Sequence, residues 1–496
     1  MAIPLVLLHG YHADAGTYNA WDAILRNVGF DVKDIFIGNY VTLNNEITVD
    51  DIAEGFDRAL RARGMVDQPF DVVVHSTGML VLRSWLTAPG AVDRQKLLKH
   101  LVAMAPATNG SPVATKGRSL LGRIFLGNHT LGPDFLNSGN LVLDNLELAS
   151  RYTWDLAHKD LFGPKCLYDD SPGTPYVFIF DGTDDYGRLA EIFDHDDQLG
   201  TDGVVRWAGA SLNSQKITLD FTHFPANPER FIWSDSTSPT LPLIPIAGVH
   251  HNKILSVPPA GLQDLVIKAL RVASSDDLAR FYTDVENTAE VKAGHARIDP
   301  DGWQQFIVHA VDERGNGIND YSVEVLLRAV SGEETSVSAF EKYVHPYGAD
   351  NSFRAFHVRL RDALIPGFGD ANNNIIVKIH ASSGTDLLRY EGTKDTNASN
   401  GTKFVELDIS TQARSTGKKL FFPFTTTMLE IRLNREPVPL EAAKGEDGIA
   451  VNYEIFQFED LAANTQTMAT LFSFFGRFPA LIKRAVASLT AKPRHG

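Results

Sequence analysis

Over the first 270 residues, short apolar runs alternate with segments whose apolar residues recur at helical spacing, and this alternation limits the fold more than any other feature. Strands are expected at 4–8, 32–37, 70–75, 100–105 and 175–180, and helices near 17–27, 49–63 and 78–86. Such a β-then-α rhythm is the mark of parallel strands joined by crossover helices. An apolar run at 241–249 closes the series, and a helix is expected near 262–273. Between about 107 and 170 the rhythm stops, giving way to glycines, prolines and scattered apolar clusters such as Leu120-Leu121 and Ile124-Phe125-Leu126. An insertion of this length inside a compact domain reads as a cap or lid.

At 496 residues the chain exceeds the roughly 250–300 at which one hydrophobic core stops growing, so a second domain is expected. The pattern changes accordingly after 290. Strand candidates at 303–311, 321–330, 353–360, 375–380, 404–409 and 428–433 are separated by turn chemistry, with Asp312-Glu313-Arg314-Gly315-Asn316-Gly317 marking a hairpin. Several short strands of this kind point to an all-β sandwich over 290–457. The last stretch, 458–496, is a basic amphipathic tail: no acidic residue follows Asp460, and Arg477, Lys483, Arg484, Lys492 and Arg494 lie among phenylalanines and aliphatics. Two readings of it stand equal, an element lying on an anionic lipid surface and a helix docked on the protein.

Chemistry concentrates at two strand ends. Val72-Val73-Val74-His75-Ser76-Thr77-Gly78 is an apolar strand running into His-Ser-x-Gly and then a helix. A serine on such a tight turn projects its hydroxyl above the sheet edge, and the amide of the next residue, Thr77, points at an adjacent oxyanion. A helix N-cap serine shares this setting. What favours a nucleophile at Ser76 is Leu5-Val6-Leu7-Leu8-His9-Gly10-Tyr11, where Gly10 lets the backbone turn so that the Tyr11 amide supplies a second donor. Downstream, Asp184 and Asp202 are candidate acids, and His250 and His251 stand at the end of the last apolar run.

Taken together, these motifs resemble the α/β-hydrolase superfamily, in particular bacterial true lipases and lecithin:cholesterol-acyltransferase-like esterases, over about residues 1–270. The resemblance implies a mostly parallel sheet with helices on both faces and a catalytic domain over 1–275. It also implies triad members in the order serine, acid, histidine. Thr201-Asp202-Gly203-Val204-Val205 matches the family's acid turn, which puts Asp202 ahead of Asp184; Gly248-Val249-His250-His251 matches the frame of its base, which puts His251 ahead of His250. His9, Gly10, His75 and Gly78 support the motif. Val74 stands where a small residue is usual, and Met79 where a second glycine is usual.

The activity implied is that of a serine carboxylic-ester hydrolase, an esterase or lipase acting on apolar acyl esters of small molecules or lipids through an acyl-enzyme, with no metal and no organic cofactor. An amidase or acyltransferase using the same triad, and a non-catalytic binding protein of the same fold, are the alternatives. Phe193-Asp194-His195-Asp196-Asp197 has oxygens for a cation, but a solvated acidic loop is the plainer reading. Composition narrows the partners. A formal charge of −15 repels phosphate backbones and argues against nucleic-acid binding. The lone Cys166 excludes an internal disulfide, no run approaches the length of a membrane span, and the apolar segment 3–8 lacks the layout of a secretory signal. The compartment expected is therefore the cytoplasm, with leaderless export left open.

Overall fold

In the computed structural model the described residues are 3–8, 18–35, 47–91, 93–116, 140–168, 173–186, 199–222, 230–234, 241–299, 301–338, 340, 343–363, 373–385, 388–391, 405–410 and 420–437. The basic tail expected at 458–496 lies outside them, as does most of the segment 107–139. The first elements are β1 (Pro4–Leu8), α1 (Asn19–Asn27), β2 (Asp31–Ile35), α2 (Val49–Ala62), β3 (Phe70–Ser76), α3 (Gly78–Thr87) and β4 (Leu98–Pro106). After α4 (Asn140–Leu146) and α5 (Arg151–Asp160) come β5 (Tyr176–Gly182), α6 (Trp207–Ala210), β6 (Ser214–Asp220), β7 (Arg230–Trp233) and β8 (Leu243–Ile246). Four helices follow: α7 (Lys253–Ser256), α8 (Ala260–Ala269), α9 (Ser275–Asn287) and α10 (Ala289–Arg297).

Six of these strands form a parallel sheet in the order β2-β1-β3-β4-β5-β8. Because side chains alternate along a strand, the sheet is apolar on both faces. Val72 and Val74 of β3 pack into a layer with Ile52, Phe56 and Leu60 of α2, much of α3 and Trp154 of α5. Val73 faces the other way, into a layer built by Trp21 and Leu25 of α1, Leu262 and Leu265 of α8, and Phe281 of α9. Helix α2 shows why the segment winds as it does. Val49, Ile52, Ala53, Phe56 and Leu60 recur at helical spacing, and a capping box closes its start, with Asp51 N–H donating to Thr48 Oγ1 at 3.2 Å and Thr48 N–H donating to Asp51 Oδ2 at 2.9 Å.

The remaining elements make the β-sandwich: β9 (Trp303–Asp312), β10 (Asp320–Arg328), β11 (Glu334–Ser336), β12 (Val344–Pro346), β13 (Phe353–Arg359), β14 (Asn374–Ser382), β15 (Leu388–Glu391), β16 (Val405–Asp408) and β17 (Thr425–Pro437). One sheet runs β11-β10-β14-β16; the facing one runs β12-β13-β9-β17-β6-β7, with β15 added at the side of β17. Two strands of the second sheet, β6 and β7, therefore come from the first 270 residues, and β6 pairs in parallel with β17, which itself pairs in parallel with β9. Here too alternation decides the packing. Phe306, Val308 and Ala310 of β9, Phe356 and Val358 of β13, and Ile431 and Leu433 of β17 turn into the sandwich. The intervening Ile307, Ala355 and Met428 turn the other way and join the layer that covers the parallel sheet. The described residues all belong to one compact unit, Met1–Pro437.

Three local differences from the sequence reading have plain causes. The run 241–249 yields only β8, because Gly248 at φ +85° starts a turn that carries the two histidines. Helices α9 and α10 went unread because they bury only Phe281 and Val285, and Val291 and Gly294, too few to give an apolar period. Strand β6 buries Ile217 and Leu219 in a sheet whose strands, its neighbour β7 aside, lie some 90–210 positions away in the chain. No local pattern announces that partnership.

A fragment ending at residue 298 leaves one edge of β6 bare and uncovers the apolar layer beneath Ile307 and Met428. It is expected to lose cooperative thermal unfolding, followed by circular dichroism. A sharp melt at the full-length midpoint would show that the sandwich is not needed for the first 298 residues to fold.

Candidate active site

Strand β3 runs straight into α3 with a single residue, Thr77, between them. The reversal is made by Ser76, which sits at φ +51° in the left-handed region that costs a non-glycine residue about 1–2 kcal/mol. The pairing with β4 slips at this point, from His75↔Met104 to Ser76↔Pro106, and Ala107 N–H donates to the Ser76 carbonyl at 3.1 Å. The side chain is thereby lifted off the strand at the carboxyl end of the sheet. Thr77 occupies the N-cap position of α3, so its amide stands at the start of the helix, where N–H groups lack intrahelical acceptors. Val74 is accommodated without opening the turn, packed at 0% exposure between β3 and its helices.

Two further segments converge on Ser76. His251 follows the turn after β8, and its Nε2 accepts from Ser76 Oγ at 3.0 Å. Its Nδ1–H donates to Asp202 Oδ2 at 2.6 Å, and its backbone N–H donates to the Asp202 carbonyl at 3.1 Å. Asp202 is held in turn by the amides of Val204 and Val205, which donate to Oδ1 at 2.9 and 2.7 Å. Gly203 makes that turn possible at φ +95°, and Thr201 Oγ1 accepts from its amide. Asp202 and His251 are fully buried and Ser76 is 2% exposed. Burial pushes the Asp202 carboxyl up, but the charge and hydrogen bond of His251 and the amides of Val205 and Val204 outweigh it, so the carboxyl titrates below its usual range. His75, the residue before the serine, donates from Nε2 to the His251 carbonyl at 3.0 Å, with the two rings 4.7 Å apart.

The other candidates fall elsewhere. Asp184 does not meet a histidine ring: its Oδ1 accepts from Gly248 N–H at 3.1 Å and pairs with Arg297, and so ties the loop after β5 to the turn after β8. His250 lies against Tyr186, the two rings tilted with centroids 4.2 Å apart, half-buried, with burial holding its ring below the usual value. Gly78 opens α3. His9, Gly10, Tyr11 and the acidic loop 193–197 lie outside the described residues. Cys166 is buried and forms no disulfide.

Two side chains that bear on the site were not singled out from the sequence. Arg83, alone among apolar residues of α3, is fully buried, gripping Asp160 of α5 through both carboxylate oxygens and donating to the Thr108 carbonyl. A lone arginine in the middle of an apolar helix was the available signal. Asp181, next to last in β5, stands beside Asp202 and is equally buried. Its signal was a carboxylate in line with the apolar run Val177–Phe180.

The sandwich contributes to the acid turn as well. Trp207 N–H donates to the Gly200 carbonyl, and a Cβ on Gly200 would meet Trp303 of β9 at 2.8 Å and His357 of β13 at 2.9 Å. Thr426 of β17 donates from its hydroxyl to the Ala208 carbonyl of α6 at 3.0 Å and accepts from Asn109 at 3.2 Å.

No family model and no curated protein matches this chain. Among solved structures it is similar to phospholipase PlaB from Legionella pneumophila, with a TM-score of 0.69 and 21% identity over 90% of this chain and 98% of that one. A second structure of that phospholipase, in complex with thio-NAD, matches over the same shares at a TM-score of 0.69 and 20% identity. The mature lipase BlEst2 from Bacillus licheniformis matches 54% of this chain and 92% of its own at a TM-score of 0.34 and 13% identity. The fold is that of an α/β-hydrolase, a parallel sheet between helices, extended by a β-sandwich. Among the described residues, no helix is long and apolar enough to cross a membrane.

Gly203→Ala places a Cβ 2.6 Å from the Tyr186 ring and forces φ +95° on a residue that resists it. We expect a loss of about 1–3 kcal/mol in urea denaturation. The low-field proton NMR line of His251 Nδ1–H should weaken with it. An unchanged line would mean that the turn does not set the Asp202–His251 contact.

Proposed function

We propose that this chain is a serine carboxylic-ester hydrolase that cleaves apolar acyl esters, with Ser76 as nucleophile, His251 as general base and acid, and Asp202 as the orienting acid. The observation that carries the reading is the unbroken, buried chain of hydrogen bonds from Ser76 Oγ to His251 Nε2 and from His251 Nδ1 to Asp202 Oδ2. In the first half-reaction His251 takes the hydroxyl proton as Ser76 Oγ bonds to the ester carbonyl carbon. The amides of Thr77 and Tyr11 are the donors for the oxyanion, each worth on the order of 10²–10³ in rate. Collapse breaks the ester C–O bond, and the departing alcohol takes the proton from His251. Water then gives a proton to His251 and attacks the acyl-enzyme, and Ser76 recovers its proton as the acid leaves.

Asp202 supports this cycle by its charge. It stays ionised, keeps the Nδ1–H tautomer of His251 and stabilises the imidazolium that forms in each half-reaction. The likeness to a phospholipase spans both the α/β part and the sandwich. Phospholipid acyl esters are therefore the first natural substrates to test, beside simple lipid esters. The tail at 458–496, basic on an otherwise acidic chain, fits contact with an anionic lipid surface.

The test is turnover of a chain-length series of p-nitrophenyl esters and of a phosphatidylglycerol dispersion, together with labelling by a fluorophosphonate. Ser76→Ala should abolish labelling and lower kcat by about 10⁴–10⁶. Asp202→Asn should lower it by about 10⁴, and Asp184→Asn by far less, since Asp184 serves the loop. Full activity in Ser76→Ala would overturn the mechanism, and a collapse confined to Asp184→Asn would overturn the choice of acid. Faster transfer to an added alcohol or amine than to water would identify an acyltransferase.

A further inference from the structure

Asp181 is a buried carboxyl that the cycle above does not use. It stands at the carboxyl end of β5, opposite Pro245 of β8, at 0% exposure. Its Oδ1 accepts from the Gly182 amide at 2.8 Å. Among the described residues, no donor gives its Oδ2 a hydrogen bond. What stands within hydrogen-bonding reach of this side chain is another acceptor, the Asp202 carboxylate. Among the described residues no lysine, arginine or histidine acts on Asp181; the charge it feels is that of Asp202, with His251 beyond it.

Two ionised carboxylates side by side, both at 0% exposure, would repel at close range and each lose its hydration. An oxygen facing only an acceptor has no partner unless it carries hydrogen itself. A single proton between the two groups answers both problems. Its place follows from their surroundings. Asp202 accepts from two amides and from His251, all of which favour the ionised form, whereas Asp181 has one amide.

We propose that Asp181 is a neutral carboxylic acid that donates its O–H to Asp202, a fourth, positioning member behind the Ser76–His251–Asp202 chain. The role in catalysis rests on the proposed function; the proton on Asp181 does not. The donor fixes the rotation of the Asp202 carboxylate toward His251 Nδ1 and tempers its charge. Burial, followed by the charge and the contact of Asp202, holds the Asp181 carboxyl well above its usual range, against the pull of the Gly182 amide. A value raised in the folded state means that this group's contribution is complete below the ordinary carboxylate value of about 4. It is then lost as pH rises toward the folded-state value, by about tenfold in the folding constant per pH unit.

Asp181→Asn is the informative variant, because its amide keeps an acceptor for Gly182 and offers Asp202 a donor that cannot ionise. Both forms are prepared in the full chain and in a Ser76→Ala background, where stability is read without turnover. The Asn form should gain on the parent as pH rises above 5, the ratio of folding constants growing by up to about tenfold per unit. The infrared carbonyl band of a protonated carboxyl should be present in the parent and absent from Asp181→Asn. In the active chain, Asp181→Leu should lower kcat about 10²-fold with little change in KM, as expected when a reacting group is mispositioned. Asp181→Asn should restore most of that loss and flatten the alkaline limb of the profile.

A stability gap that does not grow with pH, or a parent lacking the protonated-carboxyl band, overturns the proposal whatever the kinetics. So does an Asp181→Asn form as inactive as Asp202→Asn. Failure of Ser76 to react with a fluorophosphonate would instead overturn the proposed function, leaving the pH-dependent gap and the infrared band to establish the proton on Asp181.

Discussion

Burying the Asp202 carboxylate imposes a demand that much of the surrounding chain serves. A charge removed from water must be met by donors at fixed positions. Two come from the turn that Asp202 itself begins, through Val204 and Val205, and the third is His251. The turn needs Gly203 at positive φ, and His251 is held a second time through its backbone, as donor to Asp202 and as acceptor from His75. Residues 75–77, 201–205 and 248–251 are thereby fastened together, and the strand ends that carry β3 and β8 into this region cannot shift independently. The placement of Ser76 is a consequence of that fastening as much as of its own strained backbone.

The sandwich is part of the same construction. Its strands β9, β13 and β17 are apolar on both sides, one side closing the sandwich and the other covering the parallel sheet. Between these layers runs the segment from Gly200 to Ala210, which packs so closely on Trp303, His357 and Gln305 that a methyl group on Gly200 has no room. The acid turn is therefore supported from below by residues a hundred or more positions later in the chain. The Arg83–Asp160 pair does the same for the other flank, fixing the helix after Ser76 to α5. Such a pair contributes less to net stability than to uniqueness of arrangement, since desolvation offsets most of the attraction.

Much of this was legible beforehand. The parallel strands announced themselves because strands covered on both faces are apolar at almost every position, as in Val72-Val73-Val74 or Phe178-Ile179-Phe180. The elbow was legible because a strand, a serine and a helix follow one another without a break. Choosing between Asp184 and Asp202, and between His250 and His251, required a resemblance, for both members of each pair sit in turns of similar local sequence. The geometry separates them: Asp184 is taken up by Gly248 and Arg297, and His250 by Tyr186.

By itself the sequence determined what is encoded locally: the period of each strand and helix, the glycines that turn the chain, and the order of the chemical groups along it. The tertiary structure alone decided which distant groups meet. That β6 completes a sheet with β17 and β9, that Arg83 finds Asp160, and that Asp181 is pressed against Asp202 all depend on contacts spanning 21 to more than 200 positions. Hydrophobic periodicity reports only which face of an element is buried. It carries no label for the partner, and buried polar groups are paired by the geometry of the whole fold.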